Sequence, residues 1–486
     1  MAPTVLNLIG GKWTVSESGQ TFGRNSPANV TKTVGEFQLS TKDDIRRAIE
    51  AAGQAFWGWR NTPGPERGKI LYRAAELIEK DLEDFATTMT IEEGKTLTES
   101  RSETRRGISI LRFFAGQASR LKGKTYPSEN QRTFIYTVRE PLGVVAVMTP
   151  WNFPVAIPLW KIAPALASGN TVVFKPASLT PLNASKIVQA LDQAGLPPGV
   201  LNFVTGPGST IGQALAANDD VAAISFTGSY EIGRGIQRAR ADAERMARVQ
   251  LEMGGKNPTV ILPDAKLDSA VEIVTRAAFG LTGQACTATS RVIVHESIMD
   301  AFLDKLVSRV KNLKVGDGLQ PGVEMGPAVD EVQLEKDLEY IRKGREEGAQ
   351  IVTGGRRPEQ PEMAKGHFIE PTIFNNVTTD MRIAQEEIFG PVLSVLSAKN
   401  LEDAIEVANN TVFGLSAGLC TTDLTSAHVF ADKIQAGIVT INRSTVGAEP
   451  QIPFGGEKRS STDTFREQGE EATDFYTRIK TVYTVY

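Results

Sequence analysis

Cysteine is scarce in this chain: 486 residues carry only two, Cys286 and Cys420. A disulfide framework is thereby excluded, and a reducing compartment is expected. Histidine is almost as rare; His295, His367 and His428 stand in unrelated contexts without metal-ligand spacing, and no CxxC, HExxH or Walker A pattern occurs. No metal is expected. No uninterrupted apolar run is long enough to span a bilayer, and the opening MAPTVLNLIGGKW lacks the basic and apolar regions of a signal peptide. An excess of one charge is missing too: the net charge of -4 gives no electrostatic pull towards nucleic acid or an anionic membrane. Repeats short enough for a solenoid are absent. The expectation is a soluble, cytoplasmic protein, and its length suggests roughly three domains.

What is present is strongly patterned. From about Ser40 to Thr137 the period is mostly helical: in STKDDIRRAIEAAGQAF, Ser40 is placed to cap, and Ile45, Ile49, Ala52 and Phe56 share one face. TFIYTVRE and the later IKTVYTVY alternate like strands and need a partner, and pairing in an oligomer is one way to satisfy them. From Gly143 onward short apolar runs at 144–148, 171–175, 200–204, 222–226 and 249–253 alternate with helical stretches. Such β-α repetition with fully apolar strands predicts a parallel, doubly wound sheet, whose ligands sit beyond the carboxyl ends of its strands. A second alternating block, from PTVIL to GIVTIN, also reads as α/β, with Cys286 just ahead of its strand RVIVH.

Each run of the first block ends in a distinctive peptide. TPWNFP fixes Asn152 between prolines, either as turn chemistry or as a carboxamide that donates to a developing oxyanion. FKPAS puts Lys175 at a strand end, as a solvated rim residue or a donor to a ribose or phosphate. TGPGSTIG places Gly206, Gly208 and Gly212 one residue off the dinucleotide spacing, so a tight turn is its default reading. In FTGSYEIG, Thr227, Gly228 and Ser229 lead into a helix whose free N–H groups suit a pyrophosphate, or simply cap it. LEMGGK sets Glu252 in an apolar strand, where desolvation raises a carboxyl towards general-base range unless it pairs with Lys256. EEIFGPV offers Glu387 and Phe389. Cys420, inside an apolar strand, reads as a buried structural thiol.

Taken together, PWNFP, FKPAS, FTGS, LEMGGK, GQACTATSR, EEIFGPV and PFGGEKRSS resemble the aldehyde dehydrogenase superfamily, in its order and over nearly the whole chain. The resemblance implies an α/β fold of two doubly wound domains plus a β oligomerisation arm. The cofactor domain would comprise 1–121, 142–253 and 444–468, the catalytic domain 254–443, and the arm 122–141 with 469–486. It implies that Cys286 attacks the aldehyde, that Asn152 and the Cys286 N–H hold the oxyanion, and that hydride leaves to a nicotinamide. Glu252 would activate the water that releases the acid, and nearby backbone N–H groups and the bound cofactor would favour the thiolate, with Glu252 as a deprotonating or hydrolytic base. Lys175, Ser229 and Glu387 would hold ribose, pyrophosphate and nicotinamide ribose. Phe389 would pack near the nicotinamide, while Gly228 and Gly233 let the backbone approach the cofactor. Thr149, Pro150, Trp151, Ala177, Ser178 and Gly208 would complete that surface with Phe226, Thr227, Leu251 and Gly254.

Ser178 stands where many NAD-preferring members carry a ribose-binding glutamate, so NADP is expected to be accepted and preferred over NAD. GQACTATSR and the tail look most like 2-oxoglutarate semialdehyde (2,5-dioxopentanoate) dehydrogenases. Trp160 and Gly280 stand where succinate semialdehyde dehydrogenases often have arginines. Arg443 is a candidate for a substrate carboxylate, or a surface arginine, and Phe454 joins it as a candidate substrate contact. The alternatives are another small aldehyde, such as succinate semialdehyde or glyceraldehyde, or a cysteine acyl hydrolase, which would want a histidine beside the thiol.

Overall fold

The computed structural model describes residues 2–486. The first five apolar runs become the strands Val144–Met148, Thr171–Lys175, Leu201–Phe203, Val221–Thr227 and Arg248–Glu252, all parallel. Both faces of this sheet are covered, and alternation along each strand divides the core accordingly. Val145, Val147, Val172 and Phe174 join one apolar cluster with helix Ala156–Ala167. Val144, Ala146, Met148 and Val173 join another with Ile45, Ile49 and Ala52 of helix Lys42–Asn61. Near-continuous apolar runs follow directly from being buried on both sides.

The spatial order is 248–252, 221–227, 144–148, 171–175, 201–203. The chain starts at 144–148 and moves outward to 201–203. It then lays 221–227 and 248–252 on the opposite side. The direction therefore reverses between 144–148 and 221–227, and a crevice opens there beyond the carboxyl ends. Two strands that the pattern did not foretell, Asn7–Ile9 and Lys12–Thr14, continue this sheet antiparallel past 201–203. Both are too short to show a period.

The second block folds as a separate seven-stranded sheet, in the order 350–353, 372–375, 392–398, 289–295, 257–261, 416–420, 438–441. All its pairings are parallel except that of the edge strand Gln350–Thr353. Cys420 lies in a buried strand of this sheet. Only four residues, 253–256, link the end of the first sheet to the first strand of the second.

One expectation is corrected. The helix that starts at Lys42 is capped from Thr41, not Ser40: the Asp44 carboxylate accepts from the Thr41 N–H at 2.8 Å, while the Ser40 hydroxyl accepts from Asn7 Nδ2 at 2.8 Å. The two lone strands find a partner within the chain. Thr477–Val485 runs antiparallel to Thr133–Pro141, in register from Thr477↔Pro141 to Val485↔Thr133. With Thr125–Tyr126 they form a three-stranded sheet whose outer edge, 477–485, exposes Ile479, Tyr483 and Val485.

Candidate active site

The crevice at the reversal point holds a cavity of about 180 Å³. Pro150, Trp151 and Asn152 reach it from the end of strand 144–148, and Thr227, Gly228 and Ser229 from the end of 221–227. Gly254, Cys286, Glu387 and Phe389 complete the wall on the side of the second sheet. Ser229 caps the helix Tyr230–Ala241, its hydroxyl accepting from the Ile232 N–H at 3.4 Å. Thr227 Oγ1 is buried without a partner. Trp151 meets Phe389 edge to face, centroids 5.4 Å apart, and Phe389 holds a left-handed φ of 67°.

Cys286 arrives on a loop ahead of strand Thr289–His295. Three consecutive residues before it, Leu281, Thr282 and Gly283, have positive φ. At Gly283 a side chain would collide with the Gly390 carbonyl at 2.3 Å, so only glycine permits the loop to lie against that backbone. Asn257 fixes the far side, its Nδ2 donating to the Cys286 and Ala288 carbonyls at 2.7 and 2.9 Å. Asn152 Nδ2 donates to the Gln284 carbonyl at 3.0 Å, and its buried Oδ1 has no partner. The Lys95 ammonium donates to the Asn152 carbonyl and to Glu103, whose other oxygen accepts from the Val155 N–H at 2.8 Å. Arg291, the nearest charge in sequence, points away; it is fully buried and donates to the carbonyls of Lys256, Val407 and Ala408.

In the free protein the Cys286 thiol is held neutral. Burial pushes the Cys286 thiol up to about 12, and the carboxylates of Glu387 and Glu252 push the same way; the Thr287 N–H and Arg106 oppose them weakly. Glu252 is itself raised well above the ordinary carboxyl range, first by burial and then by Glu467. Its Oε1 accepts from the Ser461 hydroxyl at 2.9 Å, and its Oε2 is buried without a partner. Lys256 is not its counter-ion: that Nζ is buried without a hydrogen bond and its pKa falls to about 7. A buried ion pair, Lys161 with Glu467, stands beside Glu252 instead. The Glu387 carboxylate accepts from the Gly255 N–H at 2.9 Å and fills the space that a side chain at Gly254 would need.

The remaining expected cofactor residues lie along the same sheet edge but outside this cavity. Lys175 is buried, its Nζ donating to the Pro176 carbonyl at 2.8 Å and its pKa lowered to about 8 by burial. Ser178 donates to the Gly206 carbonyl at 2.9 Å, and Ala177 is half-buried beside it. Gly208 begins a single π-helical turn, Gly208–Gly212, and lies exposed. Thr149, Phe226 and Leu251 are buried in and at the ends of their strands. Gly233 serves packing rather than open space: a side chain there would meet Met253 Sδ at 2.7 Å, so its absence lets the helix approach the strand.

A second, larger cavity of about 480 Å³ opens on the other side of the cysteine loop. Helix Leu97–Gln117 lines it with Glu99, Glu103 and Arg106, and Phe153, Leu281 and Val446 add apolar wall. Arg443 does not line it. That side chain is half-exposed and pairs with Glu449 at 3.8 Å, because the loop after it, rather than the residue itself, turns towards the cavity. Phe454 is buried and stacks on Trp160 with centroids 5.4 Å apart.

Residues 13–482 match the profile of the Aldehyde dehydrogenase family. The chain belongs to that family. It is 49% identical over 480 residues to the alpha-ketoglutaric semialdehyde dehydrogenase of Bacillus subtilis, covering 99% of this chain and 98% of that one. It is 48% identical to the 2,5-dioxopentanoate dehydrogenase of Saccharolobus solfataricus, with 97% and 98% coverage. The crystal structure of a betaine aldehyde dehydrogenase from Staphylococcus aureus in complex with NAD+ superposes with a TM-score of 0.96 at 36% identity, covering 99% of this chain and 94% of that one. The protein is thus an NAD(P)-dependent aldehyde dehydrogenase, and the α/β architecture of two doubly wound sheets is the family's fold.

Several residues of this dehydrogenase's site carry no signal in the sequence. Lys95, in the break between two helices, and Glu103, within helix Leu97–Gln117, clamp the Asn152 loop from a stretch whose charges read as solvated. Lys161 and Glu467 meet Glu252, and Ser461 of the PFGGEKRSS peptide donates to it, only because segments up to 306 residues apart converge. The free Thr227 hydroxyl, the glycine at 228 and the helix N-terminus fit a bound pyrophosphate.

Proposed function

We propose that this dehydrogenase oxidises 2-oxoglutarate semialdehyde to 2-oxoglutarate, with Cys286 as nucleophile and Glu252 as the base for hydrolysis. The observation that carries the chemistry is the convergence of Cys286, Asn152 and the helix cap Ser229 on one crevice wall, with Glu252 close enough for its charge to act on the thiol. The relatives from B. subtilis and S. solfataricus support the substrate. Cys286 Sγ releases its proton to solvent and its electron pair bonds to the aldehyde carbon, while the carbonyl π pair moves onto the oxygen, which the Asn152 amide and the Cys286 N–H receive. A nicotinamide cofactor, when bound, accepts the hydride. Glu252 then takes a proton from the water that attacks the resulting thioester, the C–S bond breaks as the acid departs, and that proton passes back to the Cys286 sulfur.

Ser229 and Thr227 would hold the pyrophosphate, Glu387 the nicotinamide ribose, and Lys175 with Ser178 the adenosine ribose. An uncharged hydroxyl at 178 beside a lysine supports acceptance of, and preference for, NADP. The residues 1–121, 142–253 and 444–468 would form the cofactor domain and 254–443 the catalytic domain. The strands of 122–141 and 469–486 would join copies into a homo-oligomer. The test is to supply NADP or NAD with a panel of aldehydes, follow reduced cofactor and identify the acid formed. The expected result is the highest kcat/KM for the keto-acid aldehyde with NADP. No cofactor reduction with any aldehyde would overturn the chemistry, and a strong NAD preference would overturn the cofactor assignment alone.

A further inference from the structure

The larger cavity contains an unanswered charge. Its acidic side chains are all engaged: Glu103 by Lys95 and the Val155 N–H, Glu99 by the Leu281 N–H at 2.7 Å and by Thr96, and Glu449 by Arg443 and Gln451. Arg106, on the same wall, forms no ion pair among the described residues. Its guanidinium lies over the Trp160 ring, 5.1 Å from the centroid, and Trp160 is held in turn by Phe454. One Nη2 donates to the neutral amide of Gln468 at 3.2 Å, and Nε is buried without any partner. A planar fork is thus fixed in orientation and short of an acceptor, in a setting where an unpaired donor is costly. Leu281 of the cysteine loop shares this cavity, and the Arg106 charge reaches the Cys286 sulfur.

From this geometry we infer that Arg106 receives the carboxylate of the substrate while Cys286 receives the aldehyde at its other end. The inference rests on the substrate reading above and supplies the anchor that Arg443 does not. A carboxylate would meet the Nη1 end of the fork, which has no partner among the described residues, and add a counter-charge through a charge-assisted hydrogen bond. Arg276, the other cation of the wall, is exposed at the end of its helix and attracts anions only at range. A neutral aldehyde of equal length would share the effect of Arg106 on the Cys286 sulfur but gain no anchor from it, so the ratio between the two substrates isolates specificity.

The test compares 2-oxoglutarate semialdehyde with pentanal, a neutral aldehyde of the same carbon count, in wild type, Arg106→Leu, Arg106→Gln and Arg106→Lys. The ratio of kcat/KM for the two substrates should fall about 100-fold in the Leu and Gln variants, the scale of a lost charge-assisted pair, mostly through KM. Lysine should restore part of it. Glutarate, an unreactive dicarboxylate, should inhibit pentanal oxidation competitively in wild type and lose that inhibition in Arg106→Gln. A ratio that stays within about threefold, or glutarate inhibition that survives, would overturn the anchor while a wild-type preference for the keto-acid aldehyde left the substrate reading standing. Absence of that preference in wild type would overturn both.

Discussion

At the scale of single residues, Cys286 and Glu252 pose one electrostatic problem: two buried acids, the thiol raised by burial, Glu387 and Glu252, and the carboxyl raised by burial and Glu467. In the free protein the thiol is held neutral, up at about 12. Alkylation of Cys286 by iodoacetamide should therefore climb about tenfold per pH unit between 7 and 9 without a plateau, read by mass spectrometry with buried Cys420 as the unreacted control. A plateau below pH 8 would mean that the thiolate is already formed. Glu252 has the opposite task, since it must lose a proton to activate water. Its raised pKa places the acid limb of kcat above the ordinary glutamate range, with the rate rising as pH rises through it. Glu252→Gln should leave a burst of about one reduced cofactor per site followed by slow turnover, and Cys286→Ala should give neither burst nor turnover. Both residues were legible in the sequence because their peptides are distinctive. Arg106 was not: an arginine on an amphipathic helix reads as a solvated face until the packing of that helix beside Trp160 is known.

At the scale of elements, the strands of the first sheet could be read almost to the residue, since fully apolar runs between glycine- and proline-rich breaks admit few alternatives. The short strands 7–9 and 12–14 could not, because three residues define no period. Loop conformation was equally hidden. Nothing in GLTGQACT announces three successive left-handed residues, yet this bend brings the thiol to the cavity. Gly283→Ala combines positive φ with a backbone collision and should cost about 2–3 kcal/mol. Differential scanning fluorimetry should show a lower midpoint, and the rate of thiohemiacetal chemistry should fall more than cofactor affinity. The cap at Thr41 offers a milder case. Asp44 is buried and also accepts from Ser16 Oγ at 2.8 Å and the Glu17 N–H at 3.1 Å, so Asp44→Ala strands several donors and should lower the midpoint more than a surface cap would.

At the scale of the molecule, the exposed edge at 477–485 is the surface the chain manages least: Ile479, Tyr483 and Val485 are 65%, 69% and 77% exposed. Sheet edges of this kind pair with other chains. Charging it in the double variant Ile479→Arg/Tyr483→Arg should shift the mass measured by light scattering to a smaller assembly. An unchanged mass would place the contact elsewhere.

The same small sheet imposes an order of events on synthesis. Glu140 and its ion-pair partner Lys480 are separated by 340 residues. At ordinary elongation rates the second strand emerges about 20–70 s after the first, long enough for most domains to fold in the meantime. Throughout that interval strand 133–141 is a ribbon with one side unclaimed. Chains waiting on one polysome are therefore exposed to pairing with the wrong neighbour, and only the late strand gives each of them its finished outer face.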